Sequence, residues 1–92
     1  MKILFIGDTV GKAGRTIVHQ YLKALQEELS ADLTILNWEN AAAGFGVTPK
    51  IADDLFDWGI DVMTSGNHIW DKKEIIPYLE NNTRILRPAN YP

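Results

Sequence analysis

Four short apolar runs, residues 2–6, 33–36, 60–64 and 84–86, are separated by stretches of helical period. That alternation constrains the fold more than any other feature of the chain. Strands that alternate with helices imply a parallel or mostly parallel sheet, because right-handed crossovers return the chain to the same end. The expected fold class is α/β, in the order β-α-β-α-β-α-β. The first run, "KILFI", is apolar almost throughout, as suits a strand covered on both faces.

The intervening stretches carry their own signals. From Arg15 to Leu29, the residues Ile17, Val18, Tyr21, Leu22, Leu25 and Leu29 recur at three- and four-residue steps and predict a helix with one apolar stripe. His19 falls off that stripe and is expected to face solvent. Thr48 followed by Pro49 predicts a capped helix start. Ile51, Ala52, Leu55 and Phe56 lie on one face of that helix and Asp53, Asp54 and Asp57 on the other, and Gly59 is placed to end it. Asp71 and Glu74 have the spacing of a capping box, and Pro77 is expected to kink or shorten the helix that follows.

A chain of 92 residues fits one small domain with a thin margin of stability. A net charge of −3 argues against a basic nucleic-acid face, and no basic run suggests attachment to acidic lipid. The absence of cysteine excludes disulfides, thiolate catalysis and zinc–sulfur sites, and with no covalent staple the cytoplasm is the expected compartment. No apolar run reaches membrane-spanning length.

Polar residues stand where the strands end. Asp8 follows the first, Glu39 and Asn40 the second, Asn67 and His68 the third. Ligands of open α/β sheets bind at the carboxyl edge, so these five side chains are expected on one rim. Taken singly, Asp8 or Asn67 also reads as a turn former, and His68 as a surface residue. Coincidence at three strand ends favours a site.

Two phosphate motifs fail. Gly7 and Gly11 have three residues between them where a P-loop needs four, and Lys12 is followed by Ala13. Thr9 stands where a dinucleotide fingerprint needs its second glycine. Gly11 and Gly14 are instead expected to serve the turn into the first helix. Carboxylate and amide oxygens with imidazole suit divalent Mn, Fe, Mg or Zn. A carboxylate bridging two such metals is a geometry used to hydrolyse phosphate esters.

The stretches "GD", "ENAA", "GNHIWDKKEI" and "RPANYP" carry a resemblance that runs the length of the chain. The sequence resembles the YmdB-like calcineurin-type metallophosphoesterases, bacterial phosphodiesterases whose substrates include cyclic nucleotides. The resemblance implies a half of a four-layer α/β sandwich with two divalent ions, Fe or Mn first and Mg or Zn next. It implies Asp8 and Asn40 as ligands of one metal, Glu39 as the bridge, Asn67 as a ligand of the second metal and His68 as proton donor.

Two departures stand out. Trp38 occupies a place where the family usually has a small residue, and burial under the sheet edge is expected of it. The family's later histidine ligands are missing, for this chain has only His19 and His68. Residues 1–92 are therefore expected to be one domain, the N-terminal part of a longer phosphoesterase. The partners expected are a phosphodiester or cyclic-nucleotide substrate, with either a complementary C-terminal portion or a second copy. The rival readings are an inactive fragment or α/β interaction module that oligomerises through uncovered edges, and, less favoured, a mononucleotide-binding domain.

Overall fold

The computed structural model describes residues 1–42, 48–68 and 73–90. The expected order is present: β1 (Ile3–Ile6), α1 (Gly11–Leu29), β2 (Leu33–Asn37), α2 (Pro49–Trp58), β3 (Val62–Thr64), α3 (Ile75–Glu80) and β4 (Ile85–Leu86). The sheet is parallel throughout, in the order β1-β2-β3-β4.

That order has a strict consequence. Right-handed crossovers between successive neighbours place every helix on the same face. Ile6 lies beside Leu36, Leu36 beside Met63 and Met63 beside Ile85, so these four share a face. Leu36, Met63 and Ile85 join Val18 and Leu22 of α1, Ala52 and Leu55 of α2 and Ile75 of α3 in one buried cluster. The opposite face carries Ile3, Phe5 and Leu86, each about half exposed, and the partly buried Leu33, Ile35 and Val62. The run 2–6 thus has apolar side chains for two covers, and the described residues supply one.

Several boundaries move. The first helix begins at Gly11, four residues before Arg15. Two glycines there weaken the helical signal, but tertiary contacts override it. Gly11 enters with φ 59°, and its N–H donates to the Asn40 carbonyl at 3.0 Å. Gly14 leaves room for Thr9, whose Cγ2 would be 3.1 Å from an added Cβ. The six-residue apolar stripe of α1 also divides. Val18 and Leu22 are buried, whereas Ile17, Tyr21, Leu25 and Leu29 are 40–60% exposed. With β1 at the sheet edge, the outer part of the stripe overhangs it and is left uncovered among the described residues.

The second helix matches its signals. Thr48 Oγ1 accepts the Ile51 N–H at 3.3 Å, and Gly59, at φ 115°, closes the C-terminus. Ile60 belongs to that closure, because its N–H donates to the Leu55 carbonyl at 3.1 Å, and β3 starts only at Val62. The expected capping box rests on Asp71, which lies outside the described residues; Glu74 has helical backbone and directly precedes α3. The helix containing Pro77 is six residues long. His19 is exposed, but its ring stacks on Trp58 at 4.3 Å, so it joins α1 to α2 rather than facing only water.

Buried polar groups are tied across elements. Thr34 is 1% exposed; its Oγ1 accepts from Gln26 Nε2 at 2.8 Å, and its N–H donates to Asp61 Oδ2 at 2.8 Å. Gln26 Nε2 also donates to the Gly59 carbonyl at 3.0 Å, so one side chain holds α1 against β2 and the end of α2.

Tyr78 joins α3 to α2 by donating its hydroxyl to Asp53 Oδ1 at 2.6 Å. Burial, followed by this bond to a carboxylate, pushes its pKa up to about 12. The folded state keeps the proton where the unfolded chain releases it. The stabilisation is therefore complete below pH 10 and disappears as pH rises from about 10 to about 12. Tyr78→Phe is expected to lower stability by ~1 kcal/mol at neutral pH. The gap between variant and parent in thermal unfolding is expected to narrow from about pH 10 and to close by about pH 12. A gap that persists unchanged at pH 12 would show that the Asp53 bond is not its source.

Candidate functional site

The rim is assembled by backbone bonds between strand ends. Thr9 N–H donates to the Asn37 carbonyl at 3.2 Å, joining the exit of β1 to that of β2. Trp38 N–H donates to the Thr64 carbonyl at 3.0 Å, joining the exit of β2 to that of β3. Trp38 itself is fully buried in the core cluster, as expected, and it anchors the turn that presents Glu39 and Asn40.

Two pairs form on this rim. Asn40 Nδ2 donates to both oxygens of Asp8, at 3.0 and 3.1 Å, across 32 residues of sequence. Glu39 Oε2 accepts the backbone N–H of His68 at 3.3 Å. The Glu39 carboxylate also lies hard against Gly66. Because Glu39 and Asn40 are adjacent, the two pairs are coupled and all three strand ends meet. Asn67 is exposed beside Gly66, and His68 is partly buried.

The chemistry of this set is oxygen-rich and acidic. Among the described residues, neither Asp8 nor Glu39 has a lysine or arginine within ion-pair distance; the ion pair found, Lys50–Asp54, is on α2. Asn37 Oδ1, at the end of β2, is buried without a donor among the described residues. Carboxylates with no lysine or arginine paired to them among the described residues fit hard divalent cations. The set is nonetheless short of a full shell. Among the described residues no three His, Asp or Glu side chains cluster as a metal site. Asn40 now turns its amide nitrogen to Asp8, and rotation of that amide would offer its oxygen instead.

Reading by residue type did not single out Gly66. Its place before Asn67 was visible, but the space it leaves for a carboxylate from another strand is not a pattern along the chain.

A family model described as YmdB-like protein matches residues 4–92. The chain belongs to the YmdB-like family. A 2',3'-cyclic-nucleotide 2'-phosphodiesterase of Bacillus subtilis (strain 168) is 48% identical over 92 residues, covering 100% of this chain and 35% of the relative. The crystal structure of a novel phosphatase from Mycoplasma pneumoniae superposes with a TM-score of 0.95 at 37% identity, covering 100% of this chain and 33% of that one. That of a hypothetical protein from Thermus thermophilus gives 0.91 at 39%, covering 100% and 35%. This YmdB-like chain thus spans about a third of the length of the relatives it matches. No helix among its described residues is long and apolar enough to cross a membrane.

Proposed function

We propose that this YmdB-like chain contributes one side of a metal-dependent phosphodiesterase site acting on phosphodiesters, with 2',3'-cyclic nucleotides as the preferred class. The observation that carries the reading is the meeting of Asp8–Asn40 and Glu39–His68 at one sheet rim, with no lysine or arginine beside either carboxylate among the described residues. The name of the Bacillus relative supports the substrate class.

In this reading Asp8 and Asn40 would hold one divalent ion, Asn67 would help hold a second, and Glu39 would serve both. Bound there, Fe or Mn (or Mg or Zn) would neutralise phosphate charge and lower the pKa of a water. His68 stands beside Glu39 and donates a proton to the departing oxygen. The backbone bond from His68 to Glu39 keeps the main chain of residue 68 beside that carboxylate. The remaining donors come from outside this set of residues, as suits a segment covering a third of its relatives.

The second reading, an interaction module, draws on the open apolar face of the sheet. One comparison separates them. The 92-residue chain and a YmdB-like polypeptide of the relatives' length are each given Mn2+ and 2',3'-cyclic AMP. The longer polypeptide is expected to hydrolyse the ester and to stop when EDTA is added. The short chain is expected to bind metal only weakly and to lose it on dialysis, whereas an interaction module is expected to take up none and to scatter light as an oligomer. Hydrolysis that survives complete metal removal would overturn the proposal.

A further inference from the structure

We infer that Gly66 is a positioning residue for Glu39: its missing side chain is the space in which the Glu39 carboxylate sits. The inference deepens the proposed metal site and rests on that reading for its functional meaning.

The structure offers three reasons to assign Gly66 this role. A Cβ built on Gly66 would overlap both carboxylate oxygens of Glu39 and lie 2.6 Å from Glu39 Cδ. All three of its nearest neighbours are atoms of that one carboxylate. Backbone conformation is not the cause, because positive φ among the described glycines occurs at Gly11 and Gly59 and not at Gly66. Gly7, at the end of β1 on the same rim, is the contrast, since a Cβ there would meet nothing within 4 Å.

The obstacle is also specific in kind. A carboxylate is the movable end of a side chain, so an added methyl at residue 66 is expected to displace Glu39 rather than unfold the domain. The displaced carboxylate would leave the His68 N–H that it accepts at 3.3 Å. Gly66 therefore governs whether the acid from β2 can stand beside the residues that follow β3. Groups that orient a metal ligand typically change affinity by ~10–100-fold when altered.

The test uses the 92-residue chain, isotope-labelled for NMR, with Mn2+ alone as the probe. Gly66→Ala is expected to fold, to shift the His68 amide resonance, and to raise the Mn2+ concentration that broadens the rim signals by at least ~10-fold. Gly7→Ala is expected to match the parent in both respects. Adding Gly66→Ala to Glu39→Ala is expected to change the His68 amide little further, since the obstacle is gone. An unchanged His68 amide in Gly66→Ala would overturn the inference. So would an equal shift with and without Glu39, because the effect would then run through the backbone. Should Gly66→Ala fail to fold, recovery of folding in the double variant supports the inference, and failure of both overturns it. Absence of Mn2+ broadening in the parent would sink the metal reading, leaving the metal-free His68 comparison to decide on Gly66.

Discussion

Glu39→Gln is expected to abolish metal uptake at the rim while leaving the unfolding transition close to that of the parent. The two effects separate because the fold does not use the charge. No lysine or arginine among the described residues pairs with Glu39. The amide oxygen of glutamine can still accept the His68 N–H, and the gap over Gly66 admits a group of the same shape. What disappears is the negative charge that, in the proposed site, two cations would share. Loss of a bridging ligand is expected to exceed the ~10–100-fold penalty of disturbing an orienting group. In a polypeptide of the relatives' length, turnover of a cyclic nucleotide is expected to fall at least as far. Isothermal titration with Mn2+ and thermal unfolding of the same sample measure both sides. Near-normal turnover would remove Glu39 from the bridging role.

Trp38→Ala is the substitution expected to cost the fold most. The ring is fully buried and its main chain ties β2 to β3. Truncation of such a side chain costs ~3–5 kcal/mol, a large part of the ~5–15 kcal/mol that holds a typical domain together. For a domain of this size that lowers the melting temperature by ~15 °C or more. Trp38→Phe is expected to cost well under half as much. The indole Nε1 is buried with no acceptor among the described residues, so its removal forfeits no bond there. The orphaned donor carries a desolvation penalty of ~1–3 kcal/mol that phenylalanine does not. Equal damage from the two substitutions, read in urea unfolding, would mean that the indole N–H has a partner after all.

The order of elements and the meeting of three strand ends were legible because both depend on short-range pattern. Apolar runs mark strands, and parallel strands must send Asp8, Glu39 and Asn67 to the same edge. Thr48, Pro49 and Gly59 were legible for the same reason, since a helix end is a local affair. The start of α1 was not, because Gly11 and Gly14 answer to Asn40 and Thr9 rather than to helix propensity. Nor was the exposure of Ile17 and Tyr21. Periodicity shows that a stripe exists but not how far the sheet beneath it extends. Gly66 marks the limit most clearly, for its meaning lies in a carboxylate 27 positions earlier that reaches it through space.

The strand order also bears on how the chain comes into being. Ile3 finds Leu33, Ile35 finds Val62, and Met63 finds Ile85, so each new strand docks on the one completed just before it. No strand waits for a distant segment to arrive. Each pairing closes a single βα unit, and domains emerging from the ribosome tend to fold from their N-terminal end. A nascent YmdB-like polypeptide can therefore lay down the rim that carries Asp8, Glu39 and His68 one βα unit at a time.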